Sequence, residues 1–214
     1  MTTQRTGTPA APPRQQGTAG SRAPRLRGPA LREAVLDIAC QLFYDNGVHA
    51  VGVDEVVRRA GIAKASLYRW FPTKDALILA VLDRIDQQLW ARWDEVAEQF
   101  ADDAEAELRA QITWMTDMAA SPGYRGCAFV NTAAEFSERH DEIRDRCLQH
   151  ERELGMRLRR LGRRLAVPDP DSFADQLQLG IVGTFTTSGL FSSAGPGRRL
   201  PALLDAILAA NLGR

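Results

Sequence analysis

The sequence predicts an all-α protein of about nine helices. Three observations carry this. Apolar residues recur at the i, i+3, i+4, i+7 spacing of a helix face in nearly every segment between breakers. No apolar–polar alternation runs long enough for a useful strand. Two short helical stretches joined at a glycine stand between an amphipathic helix and a long one. The chain has 214 residues and a mass of 23.6 kDa, long enough to bury a core without disulfide or metal staples.

The elements follow in order. Residues 1–28 hold five arginines, no acid, no aromatic and almost no large aliphatic. They cannot bury enough apolar surface to offset ordering entropy and are read as a disordered basic tail, either inert or an arm that reaches DNA phosphates. Pro29 suits the first turn of a helix, and Leu31, Ala34, Val35, Ile38, Ala39, Leu42 and Phe43 form its stripe up to the stop Asp45-Asn46-Gly47. A short helix at 53–60 is broken by Gly61, and a second runs over 64–71 with Leu67 and Phe71 inward. Pro72-Thr73 ends it, with Thr73 placed to cap a long helix over 74–100. Further helices are expected over 103–120, 126–137, 141–165, 172–192 and 199–212, separated by Pro122-Gly123, Pro168-Asp169-Pro170 and Gly195-Pro196-Gly197.

Composition excludes several classes. The longest apolar run, Ala76 to Leu82, is far short of the roughly 18–20 residues of a membrane span, and no signal-peptide pattern is seen. Three cysteines, Cys40, Cys127 and Cys147, form no C-x-x-C pair, so a reduced cytoplasmic protein without a disulfide framework is expected. There is no nucleophile–base constellation, Gly-rich phosphate loop or paired-carboxylate signature, so neither enzyme activity nor a cofactor is expected. His140 and His150 lie ten apart among Glu135, Glu138, Asp141, Glu142, Asp145 and Cys147. That spacing places the histidines near opposite edges of a helix, and the region is read as a solvated charged face with no metal. The run Arg157, Arg159, Arg160, Arg163, Arg164 is read as another solvated face. Net charge is zero, but residues 79–214 carry 16 basic and 21 acidic side chains, so a basic end sits on an acidic body. The only two lysines, Lys64 and Lys74, both fall in the two-helix segment or at its end.

That segment, Val53 to Leu77, has the form of a helix-turn-helix, in which the first short helix props the second and the second enters a DNA major groove. The block Ala60-Gly61-Ile62, Lys64, Leu67-Tyr68-Arg69-Trp70-Phe71, Lys74-Asp75-Ala76-Leu77 resembles the TetR family of transcriptional regulators, specifically over residues 29–78 and loosely beyond. The resemblance implies a DNA-binding domain at 29–76 and an effector-binding and dimerisation domain at 77–214. It implies a homodimer on a palindromic double-stranded operator, usually a repressor, released by a small molecule. It places Lys64, Ala65, Tyr68 and Arg69 toward the bases and Ser66, Trp70 and Lys74 toward phosphates. Trp70 stands where His or Tyr is commoner and has an equal reading as core packing. Gly52 and Ala63 replace the usual Ser or Thr at helix starts; Gly52 can still cap with support from Glu55, whereas Ala63 lacks a capping hydroxyl.

For the second domain, Trp90, Trp93, Trp114, Phe129, Phe136 and Phe185 offer more aromatic surface than a plain bundle core needs. With Asn131, Glu135, Thr184 and Thr187 nearby, they are the expected lining of an apolar effector pocket, Glu135 being the counter-ion for a cationic ligand. The last two helices are expected to form a four-helix dimer interface. Leu177, Ile181, Phe185 and Gly189 step along one, Leu200, Leu203, Leu204, Ile207, Leu208 and Leu212 along the other, and Gly180 and Gly183 permit close approach. The alternatives are a DNA-binding or architectural protein without an effector and, more remotely, a small helical enzyme.

Overall fold

The computed structural model of the chain describes residues 28–136, 141–191 and 194–213. The expected disordered tail, and Glu138 and His140 of the charged cluster, lie outside the described residues. Among the described residues there are nine α-helices and no strand. They are α1 (Pro29–Asn46), α2 (Val53–Ala60), α3 (Lys64–Trp70), α4 (Lys74–Gln99), α5 (Ala104–Ala119), α6 (Ala128–Glu135), α7 (Asp141–Arg164), α8 (Pro170–Phe191) and α9 (Leu200–Leu212). A 3₁₀ turn, Pro196–Arg199, leads into α9.

Local chemistry sets most boundaries. Thr73 Oγ1 accepts the Ala76 amide at 3.0 Å and starts α4 as expected. Asp103 accepts the Glu105 and Ala106 amides and starts α5. Pro168-Asp169-Pro170 acts as a start signal for α8 as well as a break. Asp169 Oδ1 accepts the amides of Asp171 and Ser172, and Pro170 takes the first helical position, two residues earlier than the pattern indicates. Neither α2 nor α3 has a side-chain cap. Glu55 gives Gly52 no support, because its carboxylate pairs with Arg58 at 2.9 and 2.5 Å.

Two apolar cores stack end to end along α4. Leu77, Ile78, Val81 and Leu82 join α1, Val56, Leu67 and Phe71 in the first core. Trp90 and Trp93 join α5, α7, α8 and α9 in the second. The first core also takes Phe129 and Phe136 from the α6 segment and Ile143 and Cys147 from α7. The N-terminal helices therefore do not close their core alone. α7 and α8 form the most extensive helix pair.

The expected dimer stripe of α8 turns inward. Leu177 and Ile181 are fully buried and Phe185 nearly so, and Gly189 meets the backbone of Arg125 and Gly126. Leu200, Leu204, Ile207 and Leu208 of α9 are buried in the same core. Gly180 permits a close approach, but within the chain: a Cβ there would lie 2.7 Å from Leu203 Cδ2. Five core-facing helices compete for these apolar residues, and intramolecular packing takes them. The outward face of α8 carries instead Leu179, Gly183, Thr186 and Leu190, with exposed Leu203 on α9 beside it.

Candidate functional site

α3 is short and is held from one side. Leu67 is fully buried and Phe71, just past its end, is 2% exposed. Those anchors leave Lys64, Ala65, Tyr68 and Arg69 on the solvent side, with Ser66 and Trp70 half-buried. Lys64 Nζ lies 2.6 Å from Asp54 Oδ1, and this hydrogen-bonded pair raises the lysine pKa. Arg69 Nη2 donates to Ser66 Oγ at 3.2 Å. Both contacts are solvent-exposed, so exchanging them for phosphate or base acceptors is inexpensive. Lys74 Nζ reaches the His49 carbonyl at 3.4 Å from the first residue of α4. Trp70 packs partly on the first core and, with Gly28, Leu31 and Arg69, lines a shallow depression. The core-packing reading of the indole is thus met in part, and its other side is left facing that depression.

Behind this face runs a seam where the α6 segment meets α1 and the loop before α2. Glu135, the last residue of α6, accepts the Val48 amide at 3.0 Å and the His49 amide at 2.7 Å. His49 Nδ1 lies 3.3 Å from the same carboxylate, and the imidazole packs 4.7 Å from the Phe136 ring. Gly47 makes this possible: its φ of 86° is left-handed, and a Cβ there would lie 2.9 Å from Glu135 Oε1. Tyr44 closes the other end, accepting from the Arg125 amide at 2.8 Å and donating to the Gly126 carbonyl at 3.2 Å. Arg84 of α4 pairs with Glu33 and Asp37 of α1.

Two cavities flank Tyr44. The first, about 470 Å³, lies between α1, α4 and α6 and is lined by Asn131, Thr132 and Glu135 among others. The second, about 390 Å³, is lined by Leu89, Met118, Tyr124, Phe129 and Phe185, with Asp37, Gln41 and Arg84 also in its wall. Cys40, Tyr44, Ile85, Gly126 and Ala128 belong to both walls. Burial pushes the Cys40, Cys127 and Cys147 thiols up to about 11, so they are protonated at neutral pH. At the far end of the second cavity His150 is buried, with Nδ1 2.6 Å from Asp86, and burial lowers its pKa. Arg146 holds Asp83 and Asp86 at 2.6 Å each.

Residues 35–81 match the family model described as bacterial regulatory proteins, tetR family, and residues 104–201 match the tetracyclin repressor-like C-terminal domain. The N-terminal helices and the helices behind the seam thus each match a model of TetR-type regulators. The chain belongs to the TetR family of transcriptional regulators. A TetR-family regulator from Streptomyces coelicolor is 28% identical, with a TM-score of 0.80 over 85% of this chain and 95% of that one. The transcriptional activator FasR of Mycolicibacterium smegmatis is 36% identical over 108 residues, 50% of this chain and 48% of FasR. The regulator EthR of Mycobacterium tuberculosis is 34% identical over 83 residues, 39% of this chain and 38% of EthR. The chain thus spans about half the length, or less, of these curated relatives. As a TetR-family member it is a DNA-binding regulator and not an enzyme.

Within this TetR fold the residues expected around an effector separate. Phe129 and Phe185 line the second cavity, and Asn131 and Glu135 the first. Asn131 donates to the Arg125 carbonyl at 3.0 Å, bracing the loop. The Glu135 carboxylate already holds two backbone amides, so the counter-ion role gives way to a structural one. The other six lie away from both cavities. Trp90 and Trp93 pack edge to face at 6.0 Å in the second core, with Trp114 against it. Trp93 also borders an open, charged groove between α4 and α7. Phe136 is in the first core. Thr184 is buried against Gly197, and Thr187 bonds the Gly183 carbonyl. Helical spacing cannot tell a wall from a core, because both bury the same side-chain types.

Sequence reasoning missed Tyr44, the Glu135 latch and the Asp54–Lys64 pair. The first two join residues more than 80 positions apart, and no local pattern marks them. Asp54 had a signal, as an acid in the first turn of α2, ten residues before the first lysine.

Proposed function

We propose that this TetR-family chain is a ligand-responsive repressor, a homodimer that binds a palindromic operator and is released by a small apolar effector held at the seam. On this reading residues 29–76 are the DNA-reading head and residues 77–214 the effector and dimerisation body. The observation that carries it is the pair of cavities whose shared wall comes from both: Cys40 and Tyr44 on one side, Ile85, Gly126 and Ala128 on the other. An occupant there presses on α1 and on α4, and α4 begins at Lys74 beside α3. Volumes of this size suit a drug-sized molecule, and the aromatic wall of the second cavity favours an apolar or aromatic one. The occupant changes operator affinity only by its differential affinity for the two head positions, typically 1–3 kcal/mol.

The exposed apolar face of α8, with Leu203 of α9, supports the dimer. Gly183 there has open space above its Cα, so a partner helix can approach closely. A dimer sets two copies of α3 on half-sites about one helical turn, roughly 34–36 Å, apart or somewhat more. Repression is the family default; since FasR is named an activator, a reporter downstream of the operator reads the sign directly.

The test is operator release across a compound panel. Phe185→Ala is expected to weaken the response to an active compound, and Trp114→Ala to leave it unchanged. The reverse pattern overturns the cavity assignment. A monomer in sedimentation at micromolar concentration overturns the dimer.

A further inference from the structure

Cys127, His150 and Glu151 each bring one donor atom to a common point, all within 4.8 Å of one another. Cys127 comes from the segment entering α6, and His150 and Glu151 are neighbours on α7. Among the described residues this is the cluster whose donor types fit a metal ion. It draws on His150 of the charged region, but its partners differ from those the sequence grouped there.

Its surroundings are organised. The His150 ring is 4% exposed, stacked on Phe129 at 3.7 Å and 5°, and lies 5.1 Å from Trp90. Its Nδ1 meets Asp86 Oδ1 at 2.6 Å, and the other Asp86 oxygen is held by Arg146 at 2.6 Å. With its other oxygen held by Arg146, Asp86 Oδ1 is placed to accept from Nδ1–H, the tautomer that leaves the lone pair on Nε2. This is the carboxylate–imidazole support that orients metal-binding histidines. Glu151 Oε2 is steadied by Gln178 Nε2 at 3.0 Å and keeps lone pairs free. Cys127 and His150 both line the second cavity, so an ion has a route in and a fourth ligand has room.

We propose that Cys127 Sγ, His150 Nε2 and the Glu151 carboxylate form a binding site for one divalent ion of the zinc type. Thiolate with imidazole disfavours hard cations such as magnesium or calcium, and three protein ligands with an open position is a common zinc arrangement. The ligand charges balance: a dication against one thiolate and one carboxylate is neutral, while Asp86 shares Arg146 with Asp83. Binding displaces the Cys127 thiol proton to solvent, so affinity falls at low pH. The site borders the cavity given to the effector, but it rests on its own donor cluster, and its test needs no DNA and no effector.

The test titrates the chelator-treated, reduced full-length chain with Co²⁺ as a spectroscopic probe. A saturable thiolate-to-cobalt charge-transfer band is expected at one ion per chain, abolished by excess Zn²⁺. Cys127→Ser is expected to lose the band, and serine at this helix start is well tolerated. Cys40→Ser, which changes the same cavity wall outside the cluster, is expected to keep it. Asp86→Asn is expected to keep the band with affinity weakened roughly 10–100-fold. As a check free of mutation, Zn²⁺ is expected to protect Cys127 of the native chain from alkylation, read by peptide mass. No band in the natural chain, a band that survives Cys127→Ser, or no protection of Cys127 overturns the proposal.

Discussion

α3 and α6 are both short helices, of seven and eight residues, and they work in opposite ways. α3 buries Leu67 and presents Lys64, Tyr68 and Arg69 to solvent, where the proposed DNA contacts lie. α6 buries Phe129 and Thr132 and uses its last residue, Glu135, to hold the loop that leads into α2 and α3. The first faces solvent, the second other parts of the same chain. An exposed site tolerates substitution with little change in stability and loses binding. A buried joint loses stability first, and its effect on binding follows.

Removing the joint is expected to have the largest effect. Gly47→Ala places a side chain in left-handed backbone and against Glu135, and a cost of about 2–3 kcal/mol in urea unfolding is expected. Glu135→Ala leaves the Val48 and His49 amides without their acceptor, with an expected loss of about 1–3 kcal/mol. If both variants unfold at the natural midpoint, the contrast between the helices is false.

On the exposed side, Arg69→Ala is expected to leave the urea midpoint unchanged, cost about 1–3 kcal/mol on the operator, and relax preference at one base position. Lys74→Ala is expected to weaken all sequences alike and flatten the salt slope by about one unit. Equal binding of random and selected duplexes by the natural chain would end the sequence-reading role of α3. Asp54→Ala frees Lys64 from its exposed pair, and a small gain in DNA binding that vanishes at high salt is expected.

The smallest effect concerns Cys40 at the seam. Burial raises its pKa from 9.0 to about 11, so the folded chain keeps a proton that the unfolded chain releases first. The linked stability is fully present below about pH 9 and declines as pH rises toward 11. Alkylation of Cys40 at about pH 8 is expected to be slower in the native chain than in urea, by roughly tenfold or more. Equal rates would show that the seam around Cys40 opens freely.

Read from the chain alone, the helices are legible almost to the residue. α2 runs over Val53–Ala60 as the pattern predicts, and the starts of α1, α3 and α4 follow Pro29, the Gly61 break and Thr73. Periodicity, breakers and caps act within a turn or two, so linear order contains them. The solvent side of α3 was equally legible, because burying Leu67 and Phe71 fixes which side chains face out. What linear order does not contain is which apolar stripe meets which. Leu177 and Ile181 read equally well as interface or core, and only packing against α9 placed them inside. Trp114 and Phe129 read equally well as pocket wall, and only the position of α6 put Phe129 on a cavity and Trp114 against the second core. The Glu135 latch, the Tyr44 bridge and the meeting of Cys127 with His150 and Glu151 belong to the tertiary structure alone. Each depends on distances between residues far apart in the chain, and those distances are set by how the two cores pack around α4.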